Sequence, residues 1–244
     1  MNKRYIFIGD IHGCSGELMS LLAKLEPTPQ DEVVSVGDFV DRGPEAAKSL
    51  ELWMDRDYKA VLGNHEDRLI DWLEGKDVFE GDGFEVTLEQ VSKRKELVDY
   101  IRTLPLYLDF PEIGVCVVHG GVFPSEKIDY GSIVQNKFAT LRLRYIRQEG
   151  ESWMKVPLDG QKPGDVFWSE VWDGERMIIY GHTPTKNHKP KIEKKAIDLD
   201  TGCVYGGCLT AAILTKDKRE VEFEFVNAEK AYYSMLKTGE RVEL

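Results

Sequence analysis

The chain has 244 residues, 42% of them hydrophobic and 31% charged, with 22 Gly and 10 Pro, a make-up that allows a sizeable core and excludes collagen-like, low-complexity and disordered classes. Lys and Arg number 32 against 43 Asp and Glu, a formal net charge of −11, so the broad basic footprint of a duplex-binding protein is missing, while a small phosphorylated ligand needs only a local cation-lined pocket. No apolar run reaches the length of a bilayer span, the start MNKRYIFIGD is too short in apolar residues for a secretory leader, and Cys14, Cys116, Cys203 and Cys208 form no Cys-x-x-Cys pair; the expected setting is the cytosol, with reduced thiols and no membrane partner.

In chain order, Tyr5 to Ile8 predicts a strand ending in Gly9-Asp10, followed by a helix with Leu18, Leu22 and Leu25 on one face. Val33 to Val36 repeats the strand, and Pro44 opens a helix carrying Ala46, Leu50 and Trp53. Lys59 to Leu62 leads into Gly63-Asn64-His65 and a helix with Leu69, Ile70 and Leu73. Such alternation predicts parallel strands with right-handed crossovers. Glu85 to Thr103 reads as one polar surface helix; Leu106 to Phe110 and Val115 to Val118 read as strands joined by a turn over residues 111–114. The stretch 123–173, with Trp153, Trp168 and Trp172, is poor in regular pattern and is expected to form an irregular lobe over the site. Met177 to Tyr180, Ala196 to Leu199, Leu209 to Leu214 and the alternating Arg219 to Val226 read as strands, and Ala228 to Lys237 as a closing helix. A single domain over 1–244 is expected.

Polar residues of metal-binding type gather where strands end: Asp10 and His12 in GDIHG, Asp38 and Asp41 in GDFVDRG, Asn64 and His65 in GNHE, His119 in HGG, His182 in GHTP. Asp10 to Asp38 is 28 positions and Asp38 to Asn64 is 26, each close to the roughly 30 residues of a strand-helix-strand unit, so the three loops meet at one sheet edge. The glycines before them, Gly9, Gly37, Gly63 and Gly181, are expected to adopt backbone conformations that other residues avoid. Two carboxylates, an amide oxygen and three imidazoles without thiolate suit borderline ions, and a bridging carboxylate lets two ions sit side by side. Two divalent ions about 3.5 to 4 Å apart can share a hydroxide and clamp a phosphoryl group, the arrangement of phosphate ester hydrolysis.

In this order the five motifs resemble the signature of the phosphoprotein phosphatase family of calcineurin-like metallophosphoesterases, which includes serine/threonine protein phosphatases and symmetrical diadenosine tetraphosphatases. The likeness runs from about Tyr5 to Leu214, and GDIHGC and LDTGCVYGGCLT look most like bacteriophage lambda-type and bacterial members. The resemblance implies an α/β fold with a β-sandwich core flanked by helices and a dimetal site at the strand ends. It implies that Asp10 and His12 hold one ion, that Asp38 bridges to a second held by Asn64, His119 and His182, and that manganese is the expected metal, with iron or zinc as alternatives. His65 becomes the general acid, oriented by Asp41, whose charge is expected to raise the imidazole pKa. Arg42 grips the phosphate, and a second family arginine falls on Arg142, with Arg144 close behind.

Pro184 stands where broader calcineurin-like phosphoesterases carry a second histidine, which puts the chain nearer the protein phosphatase and dinucleoside tetraphosphatase branch. Within the resemblance, diadenosine tetraphosphatases often carry a different pair where Asp41-Arg42 stand here, which favours phosphomonoesters, so the leading expectation is a serine/threonine protein phosphatase acting on phosphorylated protein by direct hydroxide attack. The alternatives are a symmetrical bis(5'-nucleosyl)-tetraphosphatase or other nucleotide phosphohydrolase and, behind these, a non-catalytic phosphate-binding module. Each motif alone is ordinary: Gly-Asp is commonly a turn, and a single histidine is commonly structural. Arg142, Arg144 and Arg147 also read as a solvated helix face, Cys14 as space-filling, and the tryptophans as lobe packing.

Overall fold

The computed structural model describes residues 3–124 and 136–234. β1 (Arg4–Ile8), β2 (Glu32–Ser35) and β3 (Lys59–Ala60) are parallel, and β12 (Cys208–Thr215) and β13 (Lys218–Asn227) extend them antiparallel into one five-stranded sheet, β13-β12-β1-β2-β3. The second sheet has the order β10-β11-β9-β5-β4, from β10 (Lys191–Ile192), β11 (Ala196–Asp198), β9 (Met177–Tyr180), β5 (Val115–Val118) and β4 (Tyr107–Phe110), with β5, β9 and β11 parallel. The period-2 alternation of side chains builds the sandwich. Tyr5, Phe7, Val34 and Val36 from the first sheet pack against Phe110, Val115, Val117 and Ile179 from the second.

The opposite faces are covered as well, so both sheets have cores on two sides. Ile6, Ile8 and Val33 pack on α1 (Ser15–Leu25), α2 (Ala46–Met54), α3 (Asn64–Leu73), α4 (Phe84–Gln90) and α5 (Lys95–Thr103) through Leu18, Leu50, Trp53, Leu69, Phe84 and Ile101. Cys116, Val118, Ile178 and Tyr180 meet the third layer. Among the described residues, no helix is long and apolar enough to cross a membrane.

Three expectations are corrected. The stretch 85–103 is two helices, because Arg94 adopts extended backbone (φ −98°, ψ 95°) and breaks the turn. Phe84, Thr87, Leu97 and Ile101 are buried, so this is not a surface segment. The described part of the irregular lobe is regular: α6 (Lys137–Arg142), a three-stranded antiparallel sheet of β6 (Tyr145–Glu149), β7 (Ser152–Val156) and β8 (Val166–Phe167), and α7 (Trp168–Val171); residues 125–135 lie outside the described residues. Trp168 and Trp172 are buried in that layer, and Trp168 Nε1 donates to Gly120 O at 3.1 Å. No helix forms over 228–234. Tyr232 and Tyr233 donate their backbone N–H to Val204 O, and the buried Glu17 accepts from Glu229 N and Tyr232 Oη, so side-chain ties replace helical bonds; residues 235–237 lie outside the described residues.

Candidate dimetal site

The parallel strands of both sheets end at one rim. Ile11 and His12 donate their N–H groups to Asp38 O (3.0 and 2.7 Å), which lays the first loop on the second. His119 Nδ1 donates to Val36 O at 2.8 Å, and His182 N donates to Asp10 Oδ2 at 3.0 Å, joining the two sheets. Two groups of candidate ligands result, His12–Asp38–His65 and Asp38–His119–His182, with the donor atoms of each within 4.8 Å of one another. Asp38 is common to both. Its Oδ2 lies 3.5 Å from His12 Nε2, 3.3 Å from His119 Nε2 and 3.9 Å from His65 Nε2.

The residues fit divalent cations. His12 and His119 spend their Nδ1 protons on the Val40 and Val36 carbonyls, both at 2.8 Å, so their Nε2 lone pairs face inward. His182 Nε2 is buried without a hydrogen-bond partner, and His119 Nε2 lies 2.9 Å from Asn64 Oδ1. Burial, then Arg42 for His12 and Arg144 for His182, lowers both imidazoles well below their ordinary pKa, leaving them neutral as ligation requires. Burial works against the charge of Asp38, yet His119, which also hydrogen-bonds to it, and His65 hold its carboxyl well below the usual range. Asp10 stands beside these groups, pushed well above the ordinary value by burial and by Asp200, Asp38 and Asp198. Buried carboxylates crowded in this way are relieved by cations.

The backbone carries this geometry at a cost. His12 (φ 44°), Asp38 (53°), Asp41 (67°), Arg42 (65°) and His182 (73°) are left-handed, which costs a non-glycine residue about 1 kcal/mol or more. Glu66, a residue without an assigned role in the sequence reading, holds the second loop in place. Its carboxylate accepts from Asp38 N (3.0 Å), Phe39 N (2.8 Å), Val40 N (3.1 Å) and Gly63 N (3.1 Å). Of the four glycines expected to be conformationally special, Gly37 alone has positive φ (101°). Gly63 and Gly181 are needed for space: a Cβ there would stand 2.2 Å from Asp38 Oδ1 or 1.9 Å from Asp10 Oδ1.

His65 Nδ1 donates to Asp41 Oδ2 at 2.5 Å, leaving Nε2 toward Asp38. Asp41 is buried and also accepts from Arg68 Nη2 and Thr87 Oγ1. Neither Arg68 nor Thr87 was singled out from sequence. The expected rise in the His65 pKa is reversed: burial and the nearby Arg42 lower it, outweighing Asp38 and Asp41.

A cleft of about 550 Å³ opens from Asp38, Asn64, His65 and His182, and Arg42, Arg68, Arg142, Arg144 and Lys155 line it. Arg42 Nη1 donates to His12 Nε2 at 2.7 Å, and its guanidinium stacks 5.6 Å from the Tyr205 ring. Arg142 donates to Asp67 Oδ2 (3.1 Å) and Asn64 O (3.4 Å), Arg144 to His182 O (3.2 Å) and Thr183 Oγ1 (3.1 Å), so both candidates face the cleft. Arg147 instead pairs with Asp165 at 2.7 Å. Asp200, from the late DTG segment, is a further buried carboxylate near the site, pushed up to about 6 by burial.

A family model described as calcineurin-like phosphoesterase matches residues 3–225. The chain is 30% identical over 246 residues to an asymmetrical bis(5'-nucleosyl)-tetraphosphatase, PrpE, of Halalkalibacterium halodurans, covering 92% of this chain and 93% of that protein. It is 32% identical over 226 residues to the PrpE of Geobacillus thermodenitrificans, covering 84% and 87%. Among solved structures, a candidate diadenosine tetraphosphatase superposes with a TM-score of 0.72 and 26% identity over 93% of this chain and 95% of that one. A serine/threonine phosphatase of Saccharomyces cerevisiae shares the fold, with a TM-score of 0.60 and 17% identity over 93% and 80%. The relatives' names thus favour the nucleotide alternative over the phosphoprotein reading, and they specify asymmetrical where the sequence resemblance suggested symmetrical cleavage. With the strand-end site, the sandwich and the family match in agreement, this chain belongs to the calcineurin-like phosphoesterases.

Proposed function

We infer that the protein is a metal-dependent hydrolase of dinucleoside tetraphosphates that cuts asymmetrically, releasing a nucleoside monophosphate and a nucleoside triphosphate. The observation that carries this reading is a cleft lined by five cations against three carboxylates, Asp38, Asp71 and Asp82, in a chain whose net charge is −11. A tetraphosphate chain concentrates negative charge along a line, and a local row of guanidinium groups matches it through charge-assisted hydrogen bonds. The similarity to asymmetrical tetraphosphatases over nearly the whole length supports the same substrate class.

Asp10, His12, Asp38, Asn64, His119 and His182 would hold the ions, with Asp38 shared. Two divalent ions, manganese being the expected choice, would supply activation of the attacking water and neutralisation of phosphoryl charge. Arg42 and Arg142 orient the phosphate beside Asp38, and Arg144 lines the same wall. His65, held through Nδ1 by Asp41, is placed to pass a proton from Nε2 to the departing oxygen, and the pKa lowered by burial and Arg42 makes its imidazolium a stronger acid that forms only below the ordinary imidazole range. Water adds to one phosphorus, one P–O–P bond breaks, and the bridging oxygen leaves with the second nucleotide.

Product analysis of diadenosine tetraphosphate hydrolysis with added manganese tests the reading. Equal amounts of ATP and AMP are expected. Two molecules of ADP would overturn the asymmetric cut, and faster turnover of a phosphoserine peptide would overturn the substrate class.

A further inference from the structure

The described residues include seven large hydrophobic side chains that are exposed, and three of them, Phe79, Phe138 and Leu158, line the cation-lined cleft. Exposed apolar groups scattered singly are ordinary, whereas their gathering at the mouth of a charged cleft calls for an occupant with an apolar face.

Phe79 is built into place rather than left loose. It lies in the connection between α3 and α4, and Arg68 Nη1 donates to its carbonyl at 3.0 Å. Its ring rests across Gly81, where a Cβ would stand 2.2 Å from Cζ and 2.4 Å from Cε1. The Arg68 guanidinium lies 5.9 Å from the ring centroid. Even so, Phe79 is 64% exposed. Phe138, 39% exposed, comes from the first turn of α6 and carries Lys155 Nζ 4.0 Å from its ring centroid. Lys137 pairs with Asp67 of α3, and so does Arg142 at 3.1 Å, which ties α6 to the helix that precedes Phe79. Two aromatic rings, each with a cation alongside, therefore line the same cleft as Asp38, Arg142 and Arg144.

We propose that Phe79 and Phe138 form a nucleobase subsite, in which one base of a nucleotide substrate stacks on the rings while its phosphates run along Arg142 and Arg144 toward Asp38. The occupant is a purine or pyrimidine ring attached to a polyphosphate. A flat π-system uses aromatic faces whatever its hydrogen-bonding edge, and the neighbouring cations meet the phosphates attached to it. The proposal rests on the dinucleoside polyphosphate reading and adds the residues that would distinguish such a substrate from a bare phosphate ester. Gly81 is a positioning residue, acting through the Phe79 ring.

Isothermal titration of the metal-free protein with ATP and with inorganic tripolyphosphate tests the subsite, because the two ligands differ by the nucleoside. Wild type is expected to bind ATP more tightly, and Phe79→Ala and Phe138→Ala each to weaken ATP binding about 5- to 100-fold, the usual worth of one base stack, with tripolyphosphate affinity unchanged. Phe79→Trp restores ATP binding, and Gly81→Ala weakens it by displacing the ring. Equal affinity of wild type for the two ligands, or equal losses for both in the variants, overturns the subsite. In parallel, the Michaelis constant for diadenosine tetraphosphate rises in Phe79→Ala while kcat stays near the wild-type value. A wild type that binds ATP through the rings yet leaves diadenosine tetraphosphate uncut refutes the function and leaves the nucleobase site standing.

Discussion

Asp41→Asn isolates the charge that Asp41 supplies to His65. In the wild type, Asp41 Oδ2 accepts from His65 Nδ1 and from Arg68 Nη2, Oδ1 accepts from Thr87 Oγ1, and Asp41 N donates to Thr87 Oγ1 at 3.0 Å. Burial opposes the ionised carboxylate, but His65, Arg68 and Thr87 hold its pKa below the ordinary value, so it is charged at neutral pH. An asparagine can keep its oxygen toward His65 and Arg68 and turn its amide toward Thr87 Oγ1, whose second lone pair accepts beside the bond from the residue 41 N–H. The number of hydrogen bonds survives while two charge-assisted ones become neutral. At about 1 kcal/mol per bond converted, the folded state loses about 2 kcal/mol, read by urea unfolding of the metal-free protein. The catalytic loss is separate, because a neutral amide no longer supports the imidazolium that protonates the leaving oxygen. A fall in kcat of about 10² to 10⁴ is expected where that proton is needed. Phenyl phosphate and p-nitrophenyl phosphate make the comparison: the more basic phenoxide depends more on the acid, so its rate falls further. A phosphoanhydride leaves as an already acidic phosphate and is expected to lose less than phenyl phosphate. Equal losses across leaving groups refute the assignment of His65 and Asp41 to proton delivery.

Three further outcomes rest on other contacts of the fold and the candidate site. Asp31 accepts from Arg4 N, Nε and Nη2 (3.1, 3.2 and 2.6 Å) and from Thr28 N and Oγ1 (2.8 and 3.0 Å), while Arg4 also caps the α1 carbonyls of Leu25 and Glu26. Burial would raise its pKa, but Arg4 and Thr28 hold it far below the usual carboxylate value. A depressed folded pKa gives stability that is complete above the unfolded value of about 3.9 and is lost as pH falls toward the folded one. Asp31→Asn is therefore expected to cost about 2 kcal/mol at pH 7 and about 1 kcal/mol less than that at pH 3; a pH-independent difference in urea unfolding contradicts the ion pair. Manganese at 100 times its dissociation constant is expected to stabilise the wild type by about 2.7 kcal/mol. In Gly63→Ala the new Cβ meets Asp38 Oδ1 at 2.2 Å, so the same shift in melting temperature needs about 10- to 100-fold more metal; an unchanged titration argues against Asp38 as the shared ligand.

The candidate ligand positions were legible because each lies within four residues of a strand end, and strand direction carries it to a common edge: His119 after Val115–Val118, His182 after Met177–Tyr180, Asp38 after the strand at 32–35. The groups that hold the shell were not legible, because each acts across a distance in the chain that no local pattern encodes. Thr87 reaches Asp41 over 46 positions from a segment whose charged residues read as a solvent face. Glu66 sits inside GNHE, where its own helix gave no reason to expect four acceptances from two loops. The left-handed conformations at His12, Asp38, Asp41, Arg42 and His182 were equally hidden. None of those residue types announces positive φ as glycine does, and the compensation comes from bonds made after folding. The third layer was within reach: Gly150, at φ 63°, stands between Tyr145–Glu149 and Ser152–Val156, a turn residue flanked by alternating strand residues.

These differences share one cause. Metal-ligating side chains must be placed by elements rigid enough to survive cation charge, and strand ends supply that rigidity from local sequence alone. The loops between them carry strain, and the groups that offset it are free to come from anywhere the fold brings close. Arg68 makes the point in one residue: its Nη2 reaches Asp41, its Nη1 reaches the Phe79 carbonyl, and its guanidinium lies 4.8 Å from the Phe84 ring centroid. A single helical arginine thereby couples the His65–Asp41 pair to the Phe79 segment that lines the cleft. A substitution that moves Arg68 therefore perturbs both ends together.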